Sequence, residues 1–139
     1  MNGLPRTIDV GLLLLRVGAG AMLFWGHGWP KITHFAERAP NFADPIHLGP
    51  AASFTLVVFA EVFCSAFVAM GFRTRWAAIP LIVFFIVAGF IQHAADPWNR
   101  KALAFAFLVI FLSLLIMGPG RYSLDALIQR RRSVEGKTL

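Results

Sequence analysis

Ile8–Trp25, IDVGLLLLRVGAGAMLFW, places one permanent charge, Arg16, inside an otherwise apolar helix. At about 1.5 Å rise per residue the stretch covers roughly 26 Å, close to the hydrocarbon thickness of a bilayer. Arg16 then lies about 12 Å from the Ile8 end, near mid-membrane. A charge at that depth needs a partner.

The only acidic residue in any other apolar run is Glu61, in Ala51–Met70, AASFTLVVFAEVFCSAFVAM. This run must cross in the opposite direction, and Glu61 lies nine residues, about 13 Å, from its Met70 end. Each charge left alone at the bilayer centre costs about 2.5–3.5 kcal/mol on insertion scales. The matching depths predict an Arg16–Glu61 ion pair inside the bundle. Such a pair either fixes helix register or marks a functional site.

The 139 residues have room for one domain. A hydrophobic content of 58% and a mean hydropathy of +0.67 exceed those of soluble chains and identify an integral membrane protein. The net charge of +6 does not indicate nucleic acid, because the basic residues gather at the ends of apolar runs, as membrane anchors and topology signals. The first run is too long for a signal-peptide core, contains Arg16 and precedes no small-residue cleavage site. Cys64 is the single cysteine, so no internal disulfide or dithiol pair can form, and core packing is its expected role.

Four antiparallel membrane helices are predicted near 7–26, 51–71, 76–93 and 101–118, an all-α bundle, with a short amphipathic helix over 123–132 that Ser123 caps. Gly26–Gly49 reads as a Pro-punctuated connection in which Lys31–Ala39 makes a short interfacial helix. All four tryptophans fall at helix ends, as an aromatic belt requires. Phe59, Phe63 and Phe67 form a stripe turned away from Glu61, facing lipid or a partner subunit. Lys and Arg divide eight to four: Arg6, Arg73, Arg75, Arg121, Arg130, Arg131, Arg132 and Lys137 against Lys31, Arg38, Arg100 and Lys101. The positive-inside rule then puts both termini in the cytoplasm.

All four histidines come out on the opposite side, with His27 and His93 against the membrane. A cavity with His27, Gln92, His93 and Asp96 toward its mouth and Arg16 and Glu61 at its floor is the expected ligand pocket, with His27 and His93 the candidates for proton handling. It has the groups to hold a quinone headgroup, relay a proton or bind a metal. No H-x₃-H or C-x₂-C spacing occurs, so no metal is assigned. Interfacial histidines that bond only loop carbonyls are the alternative.

His27-Gly28-x-x-Lys31, Glu61, the run Gly71-Phe72-Arg73-Thr74-Arg75-Trp76-Ala77-Ala78 and Gly118-Pro119-Gly120-Arg121-Tyr122-Ser123-Leu124-Asp125 together resemble the DoxX family of small bacterial membrane proteins. The resemblance spans nearly the whole chain. It implies a four-helix bundle in the bacterial cytoplasmic membrane and a link to redox complexes, because the relative DoxD is a subunit of a thiosulfate:quinone oxidoreductase. It identifies no reaction.

Three functions fit these residues. The first is a subunit of a quinone-linked redox or oxidative-stress complex, which needs a lipid-accessible polar pocket. The second is a scaffold or assembly factor, which needs only outer surfaces. The third is a small-solute carrier, which calls for a longer chain or a homo-oligomer.

Overall fold

The computed structural model describes residues 5–135. In chain order the helices are α1 (Arg6–Thr33), the short α2 (Phe35–Arg38), α3 (Pro50–Met70), α4 (Thr74–Gln92), α5 (Trp98–Met117) and α6 (Leu124–Glu135), with no strand among the described residues. α1, α3, α4 and α5 are long and apolar enough to cross a membrane. The expected all-α four-helix membrane bundle is the observed fold.

The first span departs from expectation by continuing to Thr33 instead of ending near residue 26. A π-helical turn over Phe24–Gly28 widens the backbone just ahead of Pro30, so the proline enters without breaking the rod. At about 42 Å, α1 overruns the hydrocarbon layer and carries Lys31 on the same rod as Arg16.

Lipid tails are as apolar as leucine, so the helices are held by close packing and polar contacts rather than by escape from water. α1 meets α3 at Gly20, where a Cβ would lie 2.7 Å from the Ser65 carbonyl oxygen. Gly11 and Gly18, on the same helix, face open space instead. Between α4 and α5 the buried rings of Phe85, Phe107 and Phe111 stack, with Phe85 5.1 Å and 5.9 Å from the other two. Phe59, Phe63, Phe67 and the four tryptophans stay exposed, which fits a lipid-facing surface.

At the end of the bundle that carries both termini, the two Gly- and Arg-rich turns interlock. Gly71 has φ 72°, and a Cβ there would overlap the Arg16 guanidinium. Asp125 accepts from the Arg73 and Thr74 amides at 2.7 and 3.0 Å, capping α4 from a distant part of the chain. Asp9 accepts from the Arg121 amide at 2.9 Å. The Ser123 hydroxyl accepts from the Ala126 amide at the start of α6, as its sequence position suggests. The apolar side chains of α6 (Leu124, Leu127 and Ile128) stay exposed, placed to lie on a membrane surface.

Replacing Asp125 by Ala should therefore destabilise the bundle by about 1 kcal/mol, the usual worth of a helix cap, although residue 125 lies outside the spans. Thermal unfolding in detergent measures this, and an unchanged midpoint would show that the cap contributes nothing.

Candidate functional site

Three of the four spans contain a π-helical turn: Phe24–Gly28 in α1, Phe59–Cys64 in α3 and Val87–Gln92 in α4. Such turns insert one extra residue into an α-helix, shift the side chains that follow, and recur at functional sites. Here they hold or adjoin His27, Lys31, Glu61, Gln92 and His93. A Cβ on Gly28 would stand 2.6 Å from the Glu61 carbonyl oxygen, so only glycine lets α1 and α3 touch at this level.

Glu61, 2% exposed, is paired with Lys31 at 2.5 Å, not with Arg16. Arg16, 1% exposed, donates instead to the carbonyl oxygens of Ala69 and Tyr122 at the terminal end of the bundle. The predicted Arg16–Glu61 pair is thus replaced by two separate arrangements. Long side chains on a helix lean toward that helix's own N-terminus. On antiparallel rods, groups at one depth therefore diverge: Arg16 leans toward the Arg6 end, and Glu61 toward the Pro50 end. Lys31, near the far end of α1, leans back toward Glu61. Because the polar, Pro-punctuated connection reads as beginning at Gly26, the sequence does not single out Lys31 as a site residue. Its place four residues after His27, on the same helix face, was the available signal.

A cavity of about 630 Å³ lies between α3, α4 and the segment 42–46. Its walls are apolar, with Phe42, Ile46, Leu56, Phe59, Val83 and Phe84 among them, and its polar lining is Ser53, Lys31, Gln92 and His93. Two residues of the expected pocket, Gln92 and His93, are therefore in place. Glu61 stands behind Lys31 rather than on the wall, Arg16 lies at the far end, and His27 is edge-on to Phe107 at 6.5 Å between ring centroids. The space beside Gly89 is filled by the Phe105 ring of α5. His93 Nδ1 lies 2.7 Å from the Asp96 carboxylate, a hydrogen bond that orients the other ring nitrogen. His34 bonds the carbonyl of Pro30 in the last turn of α1, a helix carbonyl rather than a loop one. Cys64 is buried in the core, as expected.

Segment 42–46 forms part of the cavity wall because Asp44 ties it to the start of α3. Its carboxylate accepts from the Ser53 hydroxyl at 2.6 Å and from the Leu48 and Gly49 amides at 3.0 and 2.7 Å. The Ser53 bond, more than the two amides, holds the Asp44 carboxyl below the usual carboxylate range.

Two kinds of surface meet at this site: apolar walls, and the polar side chains of Lys31, Gln92 and His93 set among them. The sequence model of the DoxX family matches residues 11–94. The chain belongs to the DoxX family. Over 92% of this DoxX chain and 99% of the relative's length, it is 32% identical to the inner membrane protein YqjF of Escherichia coli (strain K12). The inner membrane protein YphA of the same organism is 30% identical, over 90% of this chain and 99% of its own length. An uncharacterized membrane protein of Mycobacterium tuberculosis is 30% identical, over 97% of this chain and 88% of its own length. No solved structure matches.

Two measurements check this geometry. Breaking the Lys31–Glu61 pair with Glu61→Leu should cost about 3 kcal/mol, and most of that should return in Lys31→Met/Glu61→Leu, whereas Arg16→Leu and Glu61→Leu should add to within about 0.5 kcal/mol. Strong coupling between Arg16 and Glu61 in such a cycle would restore the discarded pair. For Asp44 the folded-state pKa is depressed, so its contribution is present above the ordinary carboxylate pKa and is lost as pH falls through the lowered folded value. Hydrogen exchange over 42–49 should accelerate in that acid window, and Asp44→Asn should remove the pH dependence; the same profile in both proteins would exclude Asp44 as the tether.

Proposed function

We propose that this DoxX protein binds an isoprenoid quinone and serves as a membrane subunit of a quinone-linked redox or oxidative-stress complex. The cavity beside α3 and α4 carries this reading. Its volume falls in the range of small-molecule sites, about 300–1,000 Å³, and its apolar walls carry a few polar groups, Lys31, Ser53, Gln92 and His93. A quinone headgroup needs one or two hydrogen-bond donors beside apolar walls. Lys31 and Gln92 can donate to its carbonyl oxygens, the His93–Asp96 pair can exchange a proton at the mouth, and Phe42, Ile46, Leu56 and Val83 suit an isoprenoid tail.

The basic residues favour cytoplasmic termini, which would turn the Lys31 end of the bundle toward the periplasmic half of the membrane. Redox partners follow from the family resemblance. The scaffold alternative draws support from Arg16, whose bonds are all to main-chain oxygens and lock the helices rather than serve a ligand. A scaffold gives no reason for an open chamber beside Lys31.

The test is decylubiquinone binding to purified protein in phosphatidylcholine nanodiscs. Saturable binding that weakens about tenfold in Lys31→Met/Glu61→Leu, with the fold intact by circular dichroism, is the expected result, since tenfold corresponds to the loss of about one hydrogen bond. Folded protein that binds no quinone would give the case to the scaffold.

A further inference from the structure

Lys31 belongs to two structures at once. Its ammonium lines the cavity, 6.0 Å from the centre of the Phe84 ring that forms part of the wall, and the same ammonium is the partner of Glu61 at 2.5 Å. Glu61 itself is not on the wall. The Lys31 side of the chamber therefore contains one positive and one negative charge that cancel. The chamber's other close pair, His93 with Asp96, is a hydrogen bond that offers a ligand no free cation either.

This balance decides which headgroups the chamber can accept. A neutral carbonyl oxygen can take an unused N–H of Lys31 while Glu61 keeps its cation. A carboxylate has no free positive charge to meet. It could share the Lys31 ammonium only by leaving a net negative charge beside a carboxylate that is 2% exposed, or draw the ammonium away and strand Glu61 in a low-dielectric interior. Left unpaired, it would stand beside Glu61 as a second negative charge. Any bilayer carries acidic amphiphiles with the same kind of tail as a quinone, so apolar walls alone would not keep them out.

We infer that the cavity is selective for neutral, carbonyl-bearing amphiphiles and excludes anionic ones of equal chain length, with Glu61 acting through Lys31 as the anion-excluding residue. The inference rests on the cavity being a ligand site, as the quinone reading requires, but not on the ligand being a quinone.

The experiment compares methyl dodecanoate with dodecanoate at pH 8, in phosphatidylcholine nanodiscs with and without protein, so that partition into lipid is subtracted. Wild-type protein should bind the ester at least about tenfold more tightly than the ionised acid, the size expected when like charges are brought together in a buried site. Glu61→Gln removes the negative charge, frees the Lys31 ammonium, and should bring the ratio to one or below, a gain of carboxylate binding that general damage to the fold would not produce. Glu61→Asn gives the same reading should Glu61→Gln fail to fold. Equal wild-type affinities for ester and acid, or an unchanged ratio in a folded Glu61 variant, would overturn the inference. Decylubiquinone serves as competitor: if it fails to displace the ester while the ester preference holds, the quinone reading falls and the selectivity stands. If decylubiquinone and dodecanoate both bind wild-type protein well, the quinone reading stands and the selectivity falls.

Discussion

A carboxylate inside a membrane must have a cation, and Glu61 takes Lys31 from the far end of the first span. That requirement explains otherwise unrelated features of the bundle. The first helix has to outrun the bilayer so that residue 31 is still on it, and the π-helical turn at Phe24–Gly28 lets it pass Pro30. Gly28 has to be bare for α1 to lie against the Glu61 backbone. The pair is 2.5 Å long, with Glu61 buried and Lys31 partly so, and its two members are held as one unit.

Arg16 meets the same constraint differently. It pairs with no carboxylate through a contact among the described residues, and its two outer nitrogens instead donate to carbonyl oxygens at the ends of α3 and of the α5–α6 turn. Helix C-termini carry unsatisfied carbonyls and a partial negative charge, which makes them suitable partners for a guanidinium. Asp9 and Asp125 bond main-chain amides across the same end. The bundle thus has a locked end, where side chains satisfy backbone, and an open end, where Lys31, Gln92 and His93 border free space.

Much of the fold was legible because the bilayer permits few solutions. Four apolar runs of helical length, tryptophans at their ends and the Phe59–Phe63–Phe67 stripe admit little besides an antiparallel bundle. Gln92 and His93 were legible for a related reason: a helix that ends in polar residues at the interface puts them at the mouth of any cleft below. The choice of ion pair was not legible. Sequence spacing gives the depth of a Cα, but a guanidinium reaches well beyond its Cα, and side chains on antiparallel helices lean in opposite directions.

The sequence by itself determined that this chain spans a membrane as four helices, that two charges lie inside it, and that the Gly-Phe-Arg-Thr-Arg and Gly-Pro-Gly-Arg-Tyr-Ser-Leu-Asp turns matter, since each follows from hydropathy, periodicity or local turn chemistry. Only the tertiary structure decided which group answers each charge. It also decided that the two turns interlock and that a chamber of about 630 Å³ remains beside Lys31. These depend on helix continuity past Pro30, on π-helical shifts of the side chains that follow, and on a 2.6 Å backbone approach at Gly28. None of them has a period or a spacing in the sequence, because each arises where two distant segments meet.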